Sequence, residues 1–466
     1  MSGPPPARDH DATRLSLLSS NALLVPLAYG AGVVLIAIFV TAYLGETWNN
    51  AISFIIPDGW CNTAAGEGVG AHCFGDFGLA FGHSANPYVA GDPSAANSPL
   101  TMTLFRALAL LPYNAALLIY ELAILAGSIG VVLWGTKDSG QLAKAVATSL
   151  IGVGSLGILV ALDRGNHVAL LLPLALWYIV SLERKRWTQA VIALALIASL
   201  KFWGILLIVG LLAKRQYLRA AAAVGATAAL VILPLSLFPG GISSSLSTML
   251  AAAGDHNYAA AISPYSVSIA TLGRRVNCLV SDHTTCDFSA IQLGAPPQIG
   301  LTLGVTALIL LVAFICLRFS TLQVIAYAPL ACIGIIAVPE GPAYQCSFAV
   351  LVAALFMRFV VTDRDVLGAP DFQRFRAAKA AYLSLVVALV ASIVPLPVWQ
   401  FHVAGAFTSS FGDVHTFRLA NWAVPVTWSV FLAVAAWLTI AVQLDRRKGD
   451  VAPSAGEAYT TGDNRN

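Results

Sequence analysis

"NALLVPLAYGAGVVLIAIFVTAYL", residues 21–44, runs its whole length without an acidic or basic side chain. It exceeds the roughly 20 residues that a helix needs to cross a hydrocarbon core. Lipid offers backbone N–H and C=O groups no partner, so such a run must satisfy them internally as a helix. It is too long and too far from the start for a cleavable signal, and no small-residue cleavage site follows it, which makes it a retained span. "WAVPVTWSVFLAVAAWLTIAVQL", from Trp422, has the same character. With 58% hydrophobic and 11% charged residues and a mean hydropathy of +0.77, the chain lies outside the range of soluble globular domains. The net charge of +3 gives no sign of a nucleic-acid partner.

Working outward, the hydropathy pattern predicts an all-α polytopic membrane protein of about twelve segments, centred near residues 33, 124, 154, 175, 194, 208, 227, 308, 331, 354, 388 and 433. The fifth and sixth are short and read as a broken or re-entrant pair. Lys and Arg accumulate on the cytoplasmic side of membrane proteins. An inside N-terminus puts the basic clusters in register, leaving six of the 26 basic residues (Arg106, Arg164, Lys201, Arg274, Arg275 and Arg418) outside or at the outer boundary. Both termini are then cytoplasmic. The Pro-, Gly-, Ser- and charge-rich ends, 1–20 and 445–466, read as disordered tails around a transmembrane domain at 21–444. No basic residue occurs between Arg14 and Arg106, so the loop after the first span is exterior.

Cys316, Cys332 and Cys346 fall in apolar spans and read as small hydrophobes. Cys61 and Cys73 share the first exterior loop, and Cys278 and Cys286 share the long loop at 239–296. Local pairs in oxidising exterior loops suit disulfides. A zinc site from Cys278, Asp282, His283 and Cys286 matches no standard spacing.

Charges at a membrane boundary are costly, so each outside the cytoplasmic clusters is a candidate for function. They gather on one face. "GDFGLAFGHSANPY", residues 75–88, carries Asp76 and Tyr88, and "LDRGNH" places Asp163, Arg164, Asn166 and His167 at an outer turn. "SLKFWG" holds Lys201 between two short apolar halves. "GDHNYAAAISPYS" supplies Asp255, His256, Asn257 and Tyr258, with Arg274 and Arg275 beyond, and "VPEGPAYQ" supplies Glu340, Tyr344 and Gln345. One face thus holds candidate acids and bases with cations suited to a phosphate.

In this order, "GDF" after the first span, "NPY" about ten residues later, "RGN" at an outer turn, then "ERKRW", a half-span ending in Lys and another ending in "AKRQYLRA", the sequence resembles glycosyltransferase family 87. That family belongs to the polytopic GT-C glycosyltransferases and includes mycobacterial mannosyl- and arabinofuranosyltransferases. The resemblance is clearest from residue 75 to about residue 220. It implies a GT-C-like fold, a polyprenyl-phosphate-linked monosaccharide donor, mannose favoured, and an extracytoplasmic lipid-linked glycan or other acceptor at the plasma membrane. By the same resemblance Asp76 is the general base, Arg164 and Asn166 are the residues of the "RGN" turn, and Lys201 closes the short fifth span. The sequence departs from the family where Tyr-Pro-Pro is common and "NSPLTMTLF" stands from Asn97, and where Phe202 rather than Pro follows the lysine.

The chemistry fits these residues on its own terms. A sugar on a polyprenyl phosphate cannot leave the membrane, so its transferase must present an acid or base at headgroup level. Asp76 would take the acceptor hydroxyl's proton, while Lys201, Arg164, Arg274 or Arg275 would stabilise the departing phosphate. Asn166, Tyr88, His256, Asn257, Glu340 and Tyr344 are the candidate substrate contacts, and Trp60, Phe202 and Trp203 the candidate stacking surfaces. Neither a cofactor nor a metal is required by this scheme. The rival reading, a transporter or lipid flippase, calls for paired charges at mid-membrane, in which the spans are poor.

Overall fold

The computed structural model describes residues 74–261, 267–273, 296–337, 343–367, 372–393 and 416–451, with short strand pieces between 286 and 413. The first span and the Cys61 and Cys73 positions lie outside the described residues.

The described body is helical. In chain order it runs α1 (Gly75–Gly82), α2 (Pro99–Leu108), α3 (Tyr113–Gly135), α4 (Gln141–Ala147), α5 (Leu156–Arg164), α6 (Leu171–Glu183), α7 (Trp187–Leu200), α8 (Val209–Ala213), α9 (Tyr217–Leu235), α10 (Gly241–Ala261), α11 (Pro296–Phe319), α12 (Gln323–Cys332), α13 (Phe348–Leu367), α14 (Phe372–Ile393) and α15 (Leu419–Val451). Strands of two or three residues pair at Cys286–Asp287 with Phe407–Thr408, at Thr408–Ser409 with Gly412–Asp413, and at Gln400–His402 with Thr416–Arg418.

Among the described residues every expected segment centre from 124 onward falls within a helical segment except 154, which falls at the break of a bent pair, and length separates the rest. Four are long and apolar enough to cross a membrane (Tyr113–Gly135, Tyr217–Leu235, Gly300–Phe319 and Ala423–Leu444), five if the bent pair Gln141–Val153 and Leu156–Leu162 counts as one span. Other apolar helices are shorter, and α12 shows why hydropathy alone reads them as spans. From Val324 to Ala337 every residue is buried, so protein rather than lipid surrounds this segment. The bent pair breaks by 52° after a π-helical turn at Thr148–Val153. Ser128 of α3 donates its hydroxyl to the Gly152 carbonyl at 2.7 Å, satisfying a backbone acceptor at the break.

The short fifth and sixth segments form a hairpin. α7 ends at Leu200, Lys201 turns extended at φ −139° and ψ 117°, and the chain returns as a 3-10 stretch, Phe202–Ile208, leading into α8. A Cβ on Gly204 would lie 2.6 Å from the Ile197 side chain, so the returning limb packs directly on α7. Tyr178 of α6 donates to the Leu207 carbonyl at 2.7 Å and pins that limb from the other side. The 14 residues of α7 rise ~21 Å. The return through seven 3-10 residues and the five of α8 covers about the same height. Lys201 is therefore the tip of the hairpin, and Arg184–Arg186 and Lys214–Arg215 lie together at its base.

Candidate functional site

The side chain of Asp76 is placed by an aromatic cluster. Phe77, fully buried, packs its ring 5.1–5.5 Å from those of Phe81, Phe105, Tyr113 and Tyr120, drawn from α1, α2 and α3. These contacts fix α1 and hold Asp76, in its first turn, against the turn that follows α5. That turn is the "RGN" motif. Gly165 ends α5 in the left-handed region at φ +62°, with Asn166 N–H donating to the Ala161 carbonyl at 2.8 Å. A Cβ at Gly165 would lie 2.5 Å from Cβ of Phe77. Glycine is required there twice, by conformation and by the close approach of α1.

Across this contact, Arg164 grips the Asp76 carboxylate with two parallel bonds, Nε to Oδ2 at 3.0 Å and Nη2 to Oδ1 at 2.7 Å. Asn166 Nδ2 adds a third at 2.5 Å to Oδ2, and its own Oδ1 accepts from the Val168 N–H at 3.0 Å, which fixes the amide's orientation. The Tyr344 ring lies 5.5 Å from the Arg164 guanidinium carbon. Both side chains of the ion pair keep about a fifth of their surface exposed, 22% for Arg164 and 21% for Asp76, so one edge stays open. Burial pushes the Asp76 carboxyl up. The Arg164 charge and the hydrogen bonds from Arg164 and Asn166, with a smaller pull from Lys201, outweigh it and hold the group below its usual value. Asp76 is an anion at neutral pH.

His167 follows Asn166 into a 3-10 turn and is 9% exposed. Burial and the nearby Lys201 charge lower its pKa to about 3 against the opposing pull of Asp76, so the imidazole is neutral. The "LDRGNH" motif contains His167 but gives it no role. Its burial beside two opposite charges shows only in three dimensions. Lys201, Asp76 and His167 thus lie within electrostatic range of one another. The carbonyl of Leu200, freed where α7 breaks, accepts from Ser98 at 3.1 Å and Thr101 at 3.0 Å, which anchors the hairpin tip to α2. Ser98 belongs to "NSPLTMTLF", the stretch that stands in place of the family's Tyr-Pro-Pro, and here it caps α2 as well.

The structure therefore brings Asp76, Arg164, Asn166, Lys201 and Tyr344 together. Tyr88 is used elsewhere: it is buried, donates to the Asn97 carbonyl at 3.3 Å and packs against Phe238. His83 bonds Asp92, whose other oxygen caps the 3-10 turn at Pro93–Ala96 by accepting from Ser94 N–H at 2.8 Å. His256 and Asn257 lie on the backbone of α10, a helix in a stretch expected to be loop. Cys286 lies on a short strand. Arg274, Arg275, Glu340 and Cys278 lie outside the described residues. Among the described residues no group of three or more His, Cys, Asp or Glu is placed to hold a metal.

The cationic turns occupy the opposite end of the body. α3 starts beside Phe77 and ends where Trp134 meets Phe359 of α13, and Arg358 of α13 pairs with Asp138. At this end Arg219 lies over Trp187 and Lys214 over Tyr327.

No curated protein and no solved structure matches the chain significantly. The model of glycosyltransferase family 87 matches residues 96–339, a stretch that contains Arg164, Asn166 and Lys201 and begins after Asp76. That match covers more than half of the 466 residues, and the chain belongs to glycosyltransferase family 87, a family of membrane glycosyltransferases.

Proposed function

We propose that the protein transfers a monosaccharide, mannose favoured, from a polyprenyl-phosphate donor to a lipid-linked glycan or other acceptor on the extracytoplasmic face of the plasma membrane. The observation that carries this reading is the Asp76–Arg164–Asn166 cluster, set beside Lys201 at the end of the body remote from the cationic turns. Cytoplasmic enrichment in Lys and Arg assigns the turns inward and the cluster outward. The hairpin height of ~21 Å is less than the ~30 Å hydrocarbon core, so Lys201 is recessed from the outer surface.

The reaction forms a bond from the acceptor oxygen to the anomeric carbon and breaks the bond from that carbon to the phosphate oxygen. A carboxylate offers about four acceptor sites. Three are taken by Arg164 and Asn166, leaving about one for the acceptor hydroxyl on the exposed edge. A base of depressed pKa suffices, because the attacking oxygen becomes strongly acidic as its new bond forms and the proton passes late. Polyprenyl phosphate leaves carrying the electron pair of the broken bond, and Lys201, with Arg164, stabilises its charge. The Tyr344 ring keeps the guanidinium oriented. A transporter would need no anomeric chemistry, and nothing in this cluster favours it.

Reconstituted protein incubated with radiolabelled polyprenyl-phosphate mannose and envelope lipids is expected to label an acceptor and release polyprenyl phosphate. Asp76→Asn is expected to lower transfer about a hundred-fold to ten-thousand-fold while the protein still inserts and folds. Transfer by Asp76→Asn close to wild type would falsify the role of Asp76.

A further inference from the structure

Around the Asp76–Lys201 site, several enclosed polar atoms have no hydrogen-bond partner in the protein. They include Nε2 of His167, Oε1 of Gln345 and Nε1 of Trp203. They come from three separate elements that converge at this end. His167 stands one residue beyond Asn166. Gln345, 2% exposed, follows Tyr344 on a 3-10 turn that packs against both α5 and the His167 turn. Trp203 lies two residues past Lys201, its ring 5.3 Å from that of Phe348 just beyond the Gln345 turn. The approach of these elements is tight, since a Cβ on Gly157 of α5 would lie 1.9 Å from the Ser347 nitrogen.

An enclosed polar atom left without a partner costs about 1–3 kcal/mol, so three converging on one site need an explanation. Their chemistry selects the ligand. The His167 ring bonds the Leu200 carbonyl, and since Nε2 has no partner the donor is Nδ1; Nε2 is then an acceptor like the Gln345 amide oxygen, whereas the indole N–H of Trp203 is a donor. A phosphate dianion offers acceptors only and cannot satisfy His167 or Gln345. A prenyl chain offers neither kind of group. Neighbouring hydroxyls of a pyranose or furanose ring offer both.

We propose that His167, Gln345 and Trp203 form the subsite that recognises the hydroxyls of the transferred sugar, between the Asp76–Arg164 pair and Lys201. This deepens the donor reading above and rests on it. The phosphate is held by cations that any polyprenyl phosphate would engage, and sugar identity is read by these three uncharged groups. A site built to bond a hydroxyl rejects ligands lacking it more strongly than one built on apolar contact.

The test compares binding of two lipids, polyprenyl phosphate and polyprenyl-phosphate mannose, to full-length protein in nanodiscs. His167→Asn keeps a donor near the Nδ1 position and removes the Nε2 acceptor, and Gln345→Leu removes its amide with little change of volume. Each is expected to weaken binding of the mannosyl lipid about tenfold and leave the bare lipid unchanged. Equal loss for both lipids, or for neither, overturns the subsite. Wild-type protein that binds neither lipid overturns the donor reading, and the subsite with it. Thermal unfolding in the same nanodiscs checks the fold, and Trp203→Phe carries the same contrast should His167→Asn fail to fold.

Discussion

The two ends of the helical body use one turn geometry for opposite purposes. After α5, α6 and α8 the chain makes the same left-handed turn, with the N–H of Asn166, Arg186 and Gln216 donating to the carbonyl five residues earlier at 2.8, 2.8 and 2.9 Å. At the site end the left-handed position is Gly165. At the other end it is Lys185 at φ +55° and Arg215 at φ +58°, although a side chain there is strained. The difference is what must come close. α1 lies directly on Gly165, whereas the cationic turns face outward and their charge suits a headgroup region. Charge at the site end is enclosed and cross-linked between elements, and at the cationic end it is exposed.

The largest effect that can break this comparison is removal of one member of an ion pair at each end. Arg164→Ala strands the Asp76 carboxylate, whose compensating partners outweigh its burial, and is expected to destabilise the protein by about 3 kcal/mol as well as abolish transfer. Arg358→Ala removes the pair to Asp138, a residue 75% exposed, and is expected to cost under about 1 kcal/mol with transfer unchanged. Thermal unfolding and transfer assays on the two variants decide it, and equal losses would mean the two ends are not different in kind.

Next in size is Gly165→Ala. The left-handed backbone and the approach of Phe77 together set an expected cost of about 2–3 kcal/mol, with most transfer activity lost because α1 can no longer seat Asp76. Retained activity in that variant would show that α1 reaches Asp76's position without the close contact.

A smaller effect sharpens the contrast through pH. His167 is held neutral in the folded protein, with a pKa lowered to about 3, and titrates near its ordinary value of about 6.5 when unfolded. Below that value the unfolded chain binds a proton that the folded one refuses, so stability falls as pH drops, by up to about 1.4 kcal/mol per unit. Asp76 is also lowered, on the carboxylate scale, and its contribution is lost only as pH falls below the ordinary carboxylate value. The window from about pH 6.5 to 4.5 therefore isolates the histidine. His167→Asn is expected to flatten the acid slope of the melting temperature there, and an unchanged slope would place the responsible proton elsewhere.

Much of this site is legible in the amino-acid sequence itself. The charge asymmetry and the order of short motifs single out Asp76, Arg164, Asn166 and Lys201, because ionisable groups at a membrane boundary are rare enough to stand out. What sequence does not supply is pairing. That Arg164 and Asn166 meet Asp76 depends on how closely Gly165 lets α1 approach, and spacing along the chain does not encode that distance. His167 and Gln345 stand within the "LDRGNH" and "VPEGPAYQ" motifs, but which of their atoms is enclosed without a partner is a property of packing alone. In the fold, hydropathy finds helices from α3 onward yet reads α12 as a span, because a segment buried in protein and one bathed in lipid are equally apolar. It reads Gly241–Ala261 as loop, since the polar "GDHNY" conceals an Ala-rich helix.

The finest distinction concerns the strained turns. Replacing Lys185 or Arg215 with glycine relieves the left-handed conformation but loosens the unfolded chain, and the two terms oppose each other at about 1 kcal/mol each. Space is not the issue at these positions, so the net change in stability is expected to stay within about 0.5 kcal/mol in detergent, where no membrane charge is present. In bilayers containing anionic lipid each basic side chain near the surface contributes about 1 kcal/mol of attraction. Lys185→Gly and Arg215→Gly should therefore melt like wild type in detergent but lower than wild type in anionic nanodiscs, while Gly165→Ala is damaged equally in both. If the glycine variants also match wild type in anionic nanodiscs, the cationic turns do not face the lipid headgroups, and the assignment of the two ends to opposite faces of the membrane has to be reversed or abandoned.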